Sequence, residues 1–321
     1  MSGGAAGAAP PREAASVPGV VPAPAGLPWW VRDLVAGAPR AAQALAGLGR
    51  VQAGTPSGRR EGRAAAVLVC LSPGSRAVPA PKGGAEPLGD LLLLERAAGL
   101  RAHAGQPALP GGALDPGDDG PVAAALREAQ EETRLDVAGV QVLATMPALR
   151  VPPDGFAVTP VLAWEPVPSP VAAGDPGEVV RVLRVPVAEM LDPSRRVRVT
   201  WDRRLPGAGG GEPATLRGEG PGFDVGPRPD AGARDGAGSG VDVDARDGSG
   251  AGLLVWGFTA ALVSALLDAA GLAPGWEGAR VVPAPALRPA LDPLPPPAPA
   301  PVAAAGPPQR GQAAPGPVGA P

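Results

Sequence analysis

The stretch that decides the fold is Gly111-Gly112-Ala113-Leu114-Asp115-Pro116-Gly117-Asp118-Asp119-Gly120-Pro121, running on as Val122-Ala123-Ala124-Ala125-Leu126-Arg127-Glu128-Ala129-Gln130-Glu131-Glu132. Pro121 suits a first helical turn, with Gly120 or Asp119 as cap, and the spacing predicts a helix from about Pro121 to Leu135. At ~100° per residue, Glu128, Glu131 and Glu132 share one face, at i, i+3 and i+4. Val122, Leu126, Ala129 and Thr133 gather on another face, which can pack on a sheet. Like charges at this spacing destabilise an isolated helix by roughly a few tenths of a kcal/mol per pair. Arg127 is adjacent but single. Two readings stand: a solvated acidic helix face, or a cluster whose remaining counter-charge is a divalent cation. Such an ion takes oxygen ligands in a shell that also admits phosphate oxygens and water.

Composition narrows the setting. The 321 residues include 48 glycines and 46 prolines, a level at which low-complexity segments are expected. One medium domain with disordered appendages follows. A net charge of −3 argues against nucleic acid or an anionic membrane as a bulk partner. The single cysteine, Cys70, excludes an internal disulfide and lies in the apolar run Ala64–Leu71, where a buried thiol is expected. With His103 as the one histidine, any site needing two is excluded. Oxygen ligands must then hold any metal, which favours Mg²⁺ or Mn²⁺.

The first residues lack the basic and apolar regions of a signal peptide. Leu253–Leu267 is uncharged but only 15 residues long, short of the roughly 20 that a bilayer needs, so it reads as buried and not as a membrane span. A cytoplasmic location is the expectation.

Residues 1–26 read as a disordered tail. A helix should begin near Leu27, with Trp29, Val31, Leu34 and Val35 on its apolar stripe. Ala64–Leu71, Asp90–Leu94, Val140–Leu149, Ala157–Trp164 and Val179–Val185 read as strands, and Phe258–Ala270 as a helix. Leu205–Gly250 has almost no hydrophobic periodicity and reads as a disordered insertion. From Ala273 to Pro321 the proline-rich chain predicts a semi-extended tail without packed elements. The expected domain is therefore 27–272 with the insertion inside it.

The flanking pattern of the acidic helix, Gly-x5-Asp-x8-Arg-Glu-Ala-x-Glu-Glu, resembles the Nudix box. The match comprises Gly112, Asp118, Arg127, Glu128, Ala129, Glu131, Glu132 and Leu135. There are three departures: Asp118 replaces Glu, the spacer to Arg127 is one residue longer, and Arg134 stands where the box has Gly. Without that glycine, the helix is expected to run on or to end differently. Upstream, Leu92-Leu93-Leu94-Glu95-Arg96-Ala97-Ala98-Gly99-Leu100-Arg101-Ala102-His103-Ala104-Gly105-Gln106-Pro107-Ala108-Leu109-Pro110-Gly111-Gly112 resembles a second motif, that of the coenzyme A diphosphatase branch. Leu94 replaces its Thr and Leu109 its Phe.

The resemblance implies an α/β class, with an α/β/α sandwich around a mixed sheet. It implies Mg²⁺ or Mn²⁺ on Glu128, Glu131 and Glu132, with the Gly112 carbonyl as a further ligand and Arg127 orienting the glutamates. Glu128 or Glu178 would take a proton. The implied substrate is coenzyme A or an acyl-CoA, cut to 3′,5′-ADP and (acyl-)4′-phosphopantetheine. Other nucleoside diphosphate derivatives are the alternative within the class. A catalytically silent scaffold, binding nucleotide or an unspecified protein partner through the tail, is the alternative outside it.

Other features weigh less. Glu178 has the position of a further ligand or base or of a plain strand-edge carboxylate, and Glu165 is the runner-up. Arg96 and Arg101 suit phosphate oxygens or simply solubility. His103 either donates to a phosphate or orders its loop. Asp242–Gly248 echoes a calcium loop but lacks its glycine position and final Glu. Gly207–Gly211 opens no helix after a strand, so it fails as a phosphate cradle.

Overall fold

Along β2 (Asp90–Arg96), Leu91 and Leu93 join one hydrophobic cluster, and Leu92 and Leu94 join another. β1 (Arg63–Ser72) divides in the same way, Val69 and Leu71 against Leu68 and Cys70. β7 (Phe156–Trp164) sets Leu162 and Trp164 against Val161 and Ala163. Strands that are apolar on both faces need cover on both, which is why they read as continuous apolar runs. The computed structural model describes residues 26–51, 63–74, 87–100, 104–151, 156–205, 214–226, 252–273, 276 and 278–285.

Helices α1 (Trp29–Val51) and α4 (Gly257–Ala269) cover one face, through Trp30, Val31, Leu34, Leu262 and Leu266 among others. Trp30 meets Trp164 edge to face, centroids 6.0 Å apart, which ties α1 to the sheet. On the other face lies α2 (Gly120–Thr133), whose small Ala124, Ala125 and Ala129 allow a close approach. The architecture is an α/β/α sandwich around a mixed sheet. β1 runs parallel to β7, and antiparallel to β4 (Gly111–Ala113) and to β2. β2 also pairs with β3 (Pro107–Ala108) and with β8 (Val179–Pro186), which leads into the short α3 (Val187–Leu191). The pairing of β4 with Ala65–Val67 brings Gly111 and Gly112 against the centre of the sheet. Burial pushes the Cys70 thiol up to about 12, so it is an inert core group.

The expected strand Val140–Leu149 is two strands, β5 (Gln141–Thr145) and β6 (Leu149–Val151), both antiparallel to β7. Pro147 lies in the break and has no N–H to give to a ladder. The expected helix Phe258–Ala270 is α4, shifted by one residue. The uncharged run before it contributes β11 (Leu253–Val255), and no described helix is long and apolar enough to cross a membrane.

Two expectations of disorder are corrected on described residues. Within Leu205–Gly250, Ala214–Val225 forms β10, antiparallel to β9 (Arg196–Leu205) over its whole length. Gly218 and Gly222 are filled from the partner strand: a Cβ on Gly218 would fall 2.0 Å from the Trp201 ring and one on Gly222 would meet Val199, so those side chains occupy the space that a Cβ would need. A glycine-rich stretch can thus build a strand when bulky neighbours supply the packing. Beyond Ala273, Arg280–Pro283 forms β12, parallel to Val197–Thr200 of β9, with Val282 against Val197 and Val199. β11, β10, β9 and β12 make a second, four-stranded sheet. Residues 1–25, 206–213, 227–251 and 286–321, where the rest of the expected disorder, the echoed calcium loop and Gly207–Gly211 fall, lie outside the described residues.

Candidate active site

α2 begins at Asp119, which makes no side-chain cap bond, with proline in the first turn. It turns its alanines to the sheet and its acidic face toward an open cleft of about 230 Å³. Glu128, Glu131, Glu132, Arg134, Gly174, Asp175, Glu178 and Val179 line that cleft. A larger cavity, about 310 Å³, is lined by Glu95, Arg181, Leu253 and Trp256 among others and holds none of the α2 glutamates. The chemistry places the candidate site in the smaller one.

Each glutamate is held differently. Arg127 Nη1 lies 3.1 Å from Glu128 Oε1 and 3.0 Å from Glu131 Oε2. The same guanidinium grips Asp118 through Nε and Nη2, both at 3.0 Å, and donates to the Ala113 carbonyl at 3.2 Å. One arginine thus ties the loop before α2 to two glutamates on it. Its hydrogen bonds hold the Asp118 carboxyl below the usual carboxylate range. Glu132 is 7% exposed; its Oε2 accepts from the Gly111 amide at 2.9 Å, and its Oε1 from Arg96 at 3.3 Å. Burial raises Glu132 to about 7, against the pull of Gly111 and Arg96 and with help from the charges of Glu128 and Glu178. Burial also raises Glu128, with Arg127 opposing.

Gly112 has a steric role beside the carbonyl expected of it. A Cβ there would lie 2.4 Å from Glu128 Oε1, so the carboxylate occupies the space left by the absent side chain. Among the described residues no three carboxylates converge into a ready-made metal cage. The arginines explain this, since Arg127 and Arg96 serve as counter-charges to Glu128, Glu131 and Glu132. The donor set nevertheless fits a hard divalent ion: carboxylates on one cleft, one of them buried, and a glycine cradle against another.

Glu178 lines the same cleft, its backbone fixed by N–H donation to Asp175 O at 3.0 Å and by acceptance from Ala97 N at 2.8 Å. Glu165, the runner-up, is 1% exposed and paired with Arg184 at 2.7 Å, while its Oε1 accepts from Ser169. That role is structural. Arg96 is in the site but engaged with Glu132; Arg101 and His103 lie outside the described residues. Asp175 and Arg134 also line the cleft and were not among the candidates. Asp175-Pro176-Gly177 carries a turn signal but no chemical one.

The helix end corrects another expectation. Arg134 adopts the left-handed conformation, φ 57°, and donates its N–H to Gln130 O, so α2 stops as if a glycine stood there.

Residues 75–204 match the family model of the NUDIX domain. The Nudix hydrolase NudL of Cronobacter sakazakii, described as uncharacterized, is 48% identical over 104 residues, 32% of this chain and 52% of that protein. Its counterpart in Photorhabdus laumondii is 42% identical over 106 residues, 33% of this chain and 56% of that protein. The chain spans about half the length of these curated relatives. Among solved structures, the Nudix hydrolase RenU of M. smegmatis aligns over 40% of this chain and 74% of its own, at 25% identity and a TM-score of 0.32. The matched residues include all four cleft glutamates, while β10, β11, α4 and β12 lie beyond the matched range.

Proposed function

We propose that the chain is a divalent-metal-dependent diphosphatase acting on coenzyme A or an acyl-CoA, giving 3′,5′-ADP and (acyl-)4′-phosphopantetheine. The observation that carries the reaction is the lining of one cleft by Glu128, Glu131, Glu132 and Glu178. Glu128, Glu131 and Glu132, with the Gly112 carbonyl, would hold Mg²⁺ or Mn²⁺. When bound, such an ion neutralises charge developing on the diphosphate and acidifies a water. Arg127 keeps Glu128 and Glu131 aimed and joins them to Asp118. Glu178 lines the cleft and forms no ion pair with any described residue, which suits it to take a proton from the attacking water.

The substrate assignment rests on Leu92–Gly112, whose spacing resembles the coenzyme A branch. Its first strand, β2, carries Arg96 to Glu132, and its end supplies Gly111 and Gly112 of β4. Arg96, Arg101 and His103 are proposed to meet the substrate phosphates. Coenzyme A, 3′-dephospho-CoA and ADP-ribose should each be incubated with Mn²⁺, with and without chelator, and the products identified by chromatography. The reading expects the highest kcat/KM on coenzyme A, and Arg101→Ala lowering it by about tenfold to a hundredfold while sparing dephospho-CoA. A better rate on ADP-ribose would remove the substrate assignment and leave the diphosphatase.

A further inference from the structure

Arg134 is the one non-glycine residue with positive φ among the described residues. Glycine takes this conformation at little cost; a residue with a Cβ needs a compensating hold. The hold is visible. Arg134 Nη2 donates to Gly174 O at 2.8 Å, forty positions along the chain. Gly174 N in turn donates to Glu132 O at 3.0 Å, and Ala172 N to Thr133 O at 3.0 Å. A Cβ on Gly174 would lie 1.7 Å from Glu131 O, so the two backbones are in direct contact. The segment 172–174 therefore satisfies carbonyls that the end of α2 would otherwise leave open.

The same segment then turns. Asp175 Oδ1 accepts from Gly177 N at 2.7 Å, and Asp175 O accepts from Glu178 N at 3.0 Å. This turn delivers Asp175 and Glu178 to the cleft that the α2 glutamates line. A glycine at position 134 would end the helix with less strain but offer no donor to Gly174 O.

We propose that Arg134 is a positioning residue, whose strap to Gly174 fixes the Asp175–Glu178 turn against Glu131 and Glu132 and so sets the cleft geometry for a divalent cation. The inference rests on the metal-dependent reading of the cleft. It gives the departure from the family's glycine a purpose: backbone ease is exchanged for a charged tether between the two walls of the site.

The test uses the full chain and two readouts, Mn²⁺ affinity by calorimetry without substrate and steady-state kinetics with coenzyme A. Arg134→Gly and Arg134→Asn both tolerate the left-handed conformation without the long donor; Arg134→Lys keeps a cationic one. The Gly and Asn variants should bind Mn²⁺ about tenfold more weakly, with kcat reduced and KM nearly unchanged, as expected for a lost charged hydrogen bond. Arg134→Gly should melt no lower than wild type, and Arg134→Lys should recover most of the Mn²⁺ affinity. A wild-type chain that binds Mn²⁺ but cleaves no diphosphate would sink the reaction, while the Mn²⁺ comparison still judges the strap. Wild-type Mn²⁺ affinity in both Arg134→Gly and Arg134→Asn, or an equal loss in Arg134→Lys, would overturn the inference. So would a marked fall in the melting temperature of Arg134→Gly, which would make the strap a structural bond alone.

Discussion

The backbone amide of Gly111 donates a 2.9 Å hydrogen bond to Glu132 Oε2, joining β4 to the last glutamate on α2. Gly111 is also paired with Val67 of β1, so the central sheet and the helix meet at one carboxylate. Arg96 reaches the other oxygen from the end of β2. A group this buried, among other carboxylates, holds a proton more tightly than an exposed glutamate does.

The first prediction is a pH dependence. Glu132 titrates near 7 in the folded chain, against 4.5 for an unperturbed glutamate. The folded state therefore keeps a proton that the unfolded state gives up between those values. The contribution to stability is fully present below about 4.5 and is lost as pH rises through about 7. Asp118, held low by Arg127, acts in the opposite sense and only at more acid pH. Without metal, urea unfolding should show stability falling between about pH 5 and 7.5, and Glu132→Gln should remove much of that slope. Mn²⁺ affinity should rise over the same window as the carboxylate is freed. Identical slopes in wild type and Glu132→Gln would contradict the assignment.

A second prediction concerns the glycine cradle. In Gly112→Ala the new Cβ would meet Glu128 Oε1 at 2.4 Å, and the carboxylate must move. A displacement of about 1 Å at a reacting centre can cost about a hundredfold, so kcat should fall on that scale while the melting temperature changes little. Kinetics and a thermal melt on the same preparation check it. Near-normal kcat would show that Glu128 tolerates a different position.

A third prediction concerns the chain's end. β12 adds a parallel strand to β9 and covers Val197 and Val199 with Val282. Truncation after Leu272 should lower the melting temperature and expose the β9 edge, whereas truncation after Pro285 should keep β12 and leave it unchanged. Equal melting temperatures for the two truncations would show that β12 contributes nothing to the fold.

What the sequence made legible was local. Three glutamates at i, i+3 and i+4 face one way because a helix has 3.6 residues per turn, and the alanines opposite them mark the buried side. The strands at Asp90–Leu94 and Ala157–Trp164 were readable because burial on both faces leaves an unbroken apolar run. The second sheet was not, because the packing of Gly218 comes from Trp201 across a hairpin and leaves no periodicity in β10 itself. The end of α2 at Arg134 was not legible for a similar reason: its side chain is held by a carbonyl forty positions away. Asp175 entered the cleft through a backbone turn whose sequence announces geometry but not chemistry.

The central claim is that the acidic face of α2 carries out a metal-dependent diphosphate cleavage. Its most direct test is the rate of coenzyme A hydrolysis with Mn²⁺ in wild type, Glu131→Gln and Glu132→Gln, each checked for an unchanged fold by circular dichroism. The account predicts that the wild-type rate vanishes with chelator and returns with Mg²⁺ or Mn²⁺. It also predicts that each variant loses about a hundredfold or more in kcat, the scale of removing a group that acts in the transition state. Near-wild-type turnover in both folded variants, or a wild-type rate indifferent to chelator, would contradict it.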